Sequence, residues 1–144
     1  MSFEEIRVIT VVYTAVLLPL IIYWKYKSRL PKWIPSFYII SLVVCSLGWE
    51  LWFTYGWLDG DPVNLRRSEN LNKWLPKDIN WLLNSMGDAG AVLLGGAWLM
   101  WITHKKNLMI FKKWNWTAFV VLYIWCVSQN IFVEMFLYHD QLAD

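Results

Sequence analysis

The sequence predicts an all-α fold: an integral membrane four-helix bundle with both termini on the outer side. Three observations predict it. Hydrophobic residues make up 58% of the 144-residue chain, and the mean hydropathy is +0.36, above that of ordinary soluble domains. The apolar residues gather into four segments of about 20, long enough to cross a hydrocarbon core ~30 Å thick. Lysines and arginines concentrate in two short connections that carry no acid. A spanning backbone must satisfy its own hydrogen bonds, and the β-barrel alternative needs many short alternating strands that this sequence lacks. The chain therefore reads as a single transmembrane domain over residues 1–144.

The first helix is predicted over about 6–26. Ser2-Phe3-Glu4-Glu5 before it is acidic where a signal peptide is basic, and no small-residue cleavage site follows, so this helix is expected to stay in the mature protein. Pro19 removes a backbone donor in mid-helix and predicts a kink. The second helix runs over about 36–58, with Ser36 after Pro35 as its N-cap. An outer loop, 59–78, opens with the turn Asp59-Gly60-Asp61-Pro62. It is long for a helical hairpin, which suits a lid or a binding element. Leu65, Leu71, Trp74 and Leu75 are expected on the membrane surface, and Arg66 and Arg67 read as a solvated pair. The third helix covers about 79–103, with Asp78 as N-cap. Its Gly87, Ala91 and Gly95 lie at four-residue spacing beside Gly90 and Gly96, a small face that lets neighbouring backbones approach, so this helix is expected at the centre. The fourth helix covers about 116–138. Cys45 and Cys126 fall in mid-helix and read as packing residues.

Charge sets the orientation. Lys25, Lys27, Arg29 and Lys32 follow the first helix, and Lys105, Lys106, Lys112 and Lys113 follow the third. The positive-inside rule puts both connections in the cytoplasm, in a bacterial or archaeal cytoplasmic membrane. Glu4, Glu5, Asp59, Asp61, Glu69, Asp78, Asp140 and Asp144 then all lie on the opposite side. Trp24, Trp33, Trp57, Trp81, Trp101, Trp114 and Trp116 fall near helix ends, as an interfacial aromatic belt requires. A net charge of +2 leaves no nucleic-acid footprint.

Three acids interrupt the apolar segments: Glu50, Asp88 and Glu134. A charge in hydrocarbon costs at least ~2.5–3.5 kcal/mol on insertion scales, so intramembrane acids mark candidate functional sites. At 1.5 Å per residue, Glu50 lies about 13 Å below Asp59, Asp88 about 15 Å below Asp78, and Glu134 about 9 Å below Asp140. The three share one level in the outer half. Asn80, Asn84 and Asp88 repeat at i, i+4, i+8, as do Cys126, Asn130 and Glu134, with Gln129 adjacent. Ser46, Glu50 and Thr54 form a third stripe, and Thr10, Tyr13 and Thr14 a fourth. These faces are expected to form one outward-opening polar pocket, against the plainer possibility that each acid bonds a neighbouring helix. Glu50, Asp88 and Glu134 are the candidate catalytic acids. Asn80, Asn84, Asn130, Gln129, Trp52, Phe53, Trp81, Trp125 and Tyr13 are the candidate substrate-binding residues, the rings serving to stabilise positive charge.

No metal and no cofactor are expected. His104 falls on the cytoplasmic side and His139 is five residues past Glu134, a poor shared-face spacing for a helix-bundle metal site. Catalytic triads, phosphate loops and dinucleotide fingerprints are absent from the sequence.

The segment Leu47-Gly48-Trp49-Glu50-Leu51-Trp52-Phe53-Thr54-Tyr55 resembles the Trp-Glu segment of the integral-membrane terpene cyclases of meroterpenoid pathways. The resemblance covers nine residues, and those enzymes have about seven helices. It implies that Glu50 helps protonate an isoprenoid epoxide or alkene, with Asp88 or Glu134 as a second acid. Small sterol-isomerase-like membrane proteins are similar in pairing intramembrane acids. The leading expectation is a pocket for a lipophilic, isoprenoid or lipid-like molecule, used by an acid-base isomerase or cyclase. The alternatives are a non-catalytic accessory subunit of a larger membrane complex and a dimeric proton-coupled transporter. The partners expected are membrane lipids, a lipophilic small molecule, and a membrane-protein partner or second copy.

Overall fold

A computed structural model describes residues 1–56, 60–133 and 135. It is helical throughout these residues, with no strand among them. Three stretches are long and apolar enough to cross a membrane: Phe3–Tyr26, Ile34–Tyr55 and Lys77–Thr103. Trp116–Phe132 is apolar but shorter.

Helix α1 (Phe3–Tyr26) begins with a reciprocal cap: Glu5 N donates to Ser2 Oγ and Ser2 N donates to Glu5 Oε2. It runs through Pro19 as one helix. The second stretch is two helices, α2 (Ile34–Leu47) and α3 (Trp49–Tyr55), parted at Gly48. A side chain at Gly48 would bring Cβ to 2.6 Å from the Val44 carbonyl oxygen, so only glycine lets the backbone break there. The expected Ser36 cap is not used. The helix starts two residues earlier, with Pro35 in its first turn, where a missing N–H costs nothing. α3 ends at Gly56, whose φ of 69° is the left-handed conformation that suits glycine at a helix terminus.

The connection that follows is structured. A 3-10 turn (Val63–Leu65) leads to α4 (Glu69–Trp74), capped by Ser68. Leu71 and Leu75 are buried against Val8 and Val12 of α1. Each such burial stabilises the docked loop by roughly 1.5–3 kcal/mol. The expectation that these leucines lie on the membrane surface is corrected: the protein's own helix covers them, while Leu65 and Trp74 stay exposed. Arg66 and Arg67 are not a solvated pair either. Arg66 Nη2 donates to the Phe53 carbonyl at 2.5 Å. Arg67 donates to Asn72 Oδ1 (2.7 Å), Asn80 Oδ1 (2.9 Å) and the Leu75 carbonyl. Glu5, counted among the outer acids, is buried and accepts from Ser68 Oγ at 2.5 Å.

The third stretch comprises α5 (Lys77–Gly87), a π-helical segment (Asp88–Leu94) and α6 (Gly95–Thr103). It starts before Asp78, so Asp78 is a first-turn acid and not the cap; its Oδ1 accepts from Tyr55 Oη at 2.7 Å. The π segment packs on α2, α1 and α7, and Ala89, Gly90, Gly96 and Ala97 are buried, so the small face does serve the centre. A Cβ on Gly90 would stand 3.5 Å from Pro19 and from the Tyr38 ring. Helix α7 (Trp116–Phe132) packs chiefly on α6. Near the basic connections Trp33 lies against Trp101 and Phe111, while Trp24, Trp114 and Trp116 are exposed. Trp57 lies outside the described residues.

Candidate functional site

The break at Gly48 decides where Glu50 goes. A new helix starts at Trp49, directly after the break, and its first turn carries Glu50 against α5. Asp88 arrives from the junction of α5 with the π segment. Its Oδ2 accepts from Trp49 Nε1 at 2.6 Å. The Glu50 carboxyl faces Asp88 and the Asn84 side chain, which stands one helical turn before Asp88. Glu50 is 7% exposed. Its Oε2 and the Thr54 Oγ1 one turn further on are buried polar atoms with no hydrogen-bond partner among the described residues. Cys45, fully buried, sits beside both acids.

Wide π turns recur at functional sites, and here the turn begins at the acid itself. The carbonyls of Ala91 and Val92 both accept from Trp125 Nε1 of α7, at 3.1 Å each. Asp88 is thus presented on one side of the segment while a tryptophan holds the other.

The described polar faces do not gather into one pocket. Glu50, Asp88 and Asn84 come together as predicted. Asn80 shares their face but is 1% exposed and bonded to Arg67, so it anchors the loop. Trp81 donates Nε1 to the Ser46 carbonyl at 2.8 Å, filling a position near the Gly48 break. Phe53 lies under the Arg66 guanidinium at 5.0 Å, and Trp52 is 51% exposed. Tyr13 donates to the Trp74 carbonyl at 3.0 Å, part of the loop docking. Asn130 is exposed and donates to Cys126 O at 3.1 Å. The physical reason is helix adjacency: α7 packs chiefly on α6 and the π segment, which carries Gln129 and Asn130 away from Glu50. Glu134 and His139 lie outside the described residues. Trp49 is the site residue that the sequence reading missed, although the helix-breaking glycine before it was a usable signal.

Gln129 and Trp125 instead line an apolar groove of about 840 Å³ between α1 and α7, floored by Gly90, Ala91 and Leu94. Thr10 and Thr14 border it on the α1 side. Glu50, Asp88 and Asn84 are not among its walls. At the far end His104 contacts the Met100 carbonyl and Thr117 Oγ1, joining α6 to α7. Among the described residues no three metal-ligating side chains converge. No family model, curated protein or solved structure matches the chain.

Proposed function

We propose that this chain is a polytopic membrane protein of four spans, basic connections inside and both ends outside, whose Glu50–Asp88 pair handles a proton for a lipophilic, isoprenoid-like molecule. The observation that carries this reading is the buried Glu50 carboxyl, with one oxygen that no described residue bonds, facing a second carboxyl. Facing carboxylates repel in a medium of low dielectric, so the pair is most stable with one proton held between them. Trp49 fixes Asp88 as the acceptor side, and Asn84 orients Glu50. In an alkene isomerisation such a pair gives its proton to one alkene carbon, leaving a cation on the other, and recovers a proton from the saturated carbon next to that cation. The step balances without a co-reactant. This is the role that the Trp-Glu resemblance implies for Glu50.

The test is deuterium incorporation from heavy water into a polyprenyl alkene by the purified full chain, read by mass spectrometry. Glu50→Gln and Asp88→Asn are expected to abolish it while helicity and thermal unfolding stay as in the parent. Incorporation at the parent rate in both variants sinks the proposal, as does none in the parent.

A second reading, the accessory subunit, draws support from α7. It packs mainly on α6, and Ala118 is its one buried residue among those described. Purification in mild detergent separates the readings: a stoichiometric partner favours the subunit.

A further inference from the structure

We infer that the groove between α1 and α7 is a binding site for one neutral, single-chain lipid with a hydroxyl or carbonyl head, separate from the carboxyl pair. Heights along the helices place the head. Tyr26 and Trp116 flank the two basic connections and mark one level. From that level Thr14 stands about 18 Å up, Gln129 about 20 Å and Thr10 about 24 Å, at 1.5 Å per residue. Counted this way, three polar side chains from two helices line the same end of the groove.

All three are unsatisfied. Three helical hydroxyls in this chain fold back on the carbonyl four residues earlier, Ser85 to Trp81, Thr103 to Leu99 and Ser128 to Ile124, while buried Thr54 does not. The Thr10 and Thr14 hydroxyls and the Gln129 amide make no such bond to any described residue. Polar groups facing hydrocarbon without a partner are costly, and a ligand head that both donates and accepts would satisfy them.

The rest of the groove sets the tail. From Thr10 to Ile22 it extends about 18 Å, close to one leaflet's share of a ~30 Å core. Its walls there are apolar, with Leu18, Leu94 and Trp98 prominent. No charged side chain lines it, so a phosphate or amine head would enter without a counter-charge. The volume of about 840 Å³ suits a single small lipophile.

The test is equilibrium binding of radiolabelled hexadecanol to the full chain in detergent. Expected is saturable binding of one molecule per chain, with hexadecyl phosphate and hexadecylamine competing at least tenfold more weakly than unlabelled hexadecanol. Thr14→Val combined with Gln129→Leu should lower affinity for the alcohol at least tenfold and leave competition by hexadecane unchanged. If that double variant does not fold, Ala91→Leu on the groove floor should abolish binding, and the competition series needs no variant at all. Equal competition by the charged analogues, undiminished alcohol binding in the variants, or bilayer phospholipid as the sole occupant overturns the inference. These residues are distinct from Glu50, Asp88 and Asn84, so the two sites can fail separately.

Discussion

Replacing Arg67 with methionine should loosen the connection between α3 and α5. The side chain donates to three acceptors, and two of them are sealed from water: Asn80 is 1% exposed and Leu75 is 0% exposed. Methionine keeps the apolar stem and removes every donor. Each buried acceptor left without a partner costs about 1–3 kcal/mol, so the two together give about 2–6 kcal/mol. Asn72 is half-buried and recovers a water in place of its bond. The assay is amide hydrogen exchange at Leu71, Asn72 and Leu75, whose N–H groups are bonded within the same segment. At tenfold per ~1.4 kcal/mol, the lower bound is roughly a 30-fold loss of protection. Asn80→Ala in the Arg67→Met background should add little, because the two share one contact. Less than a threefold change, or simple additivity of the two substitutions, would refute the assignment of Arg67 as the loop's tether.

Trp49→Phe removes the donor to Asp88, while the half-exposed ring leaves little packing to lose; activity in the heavy-water assay should fall at least tenfold, with thermal unfolding nearly unchanged. Gly48→Ala should destabilise by about 1–3 kcal/mol through overpacking against the Val44 carbonyl. Gly87→Ala, where the nearest atom is Ala15 Cβ at 3.6 Å, should be neutral or stabilising by up to about 1 kcal/mol; equal effects in a thermal melt would contradict the steric account. Ser68→Ala loses both the α4 cap and the bond to Glu5, and should cost about 1–2 kcal/mol in loop protection read by hydrogen exchange.

Hydropathy and helical phase were enough to read the long helices and the placement of Asn84 beside Asp88. Phase tells which residues share a face, and depth tells which share a level. Neither tells which faces of different helices meet. Asn80 and Gln129 therefore looked like members of the acid site, whereas one was bonded by Arg67 and the other turned toward α1. Arg67 read as a solvated charge, and the bond of Glu5 went unread, because their partners, Asn80 and Ser68, lie 13 and 63 residues away in the chain. The Gly48 break was legible only as a glycine. Its effect depends on the carbonyl of Val44, which the sequence does not place.

The wide turn between Asp88 and Leu94 also uncouples two rotational settings within one continuous rod. In a uniform α-helix, each residue added or removed turns everything beyond it by about 100°. A segment wound at a different pitch absorbs that offset. The upper half can thus aim Asp88 at Trp49 while the lower half aims Gly95 and Gly96 at Trp125 and Leu122. Restoring regular winding without removing a residue would keep every apolar residue apolar. It would nevertheless swing the acid about a quarter-turn away from Glu50. The alignment of the carboxyl pair is thus set by residue count as much as by residue identity.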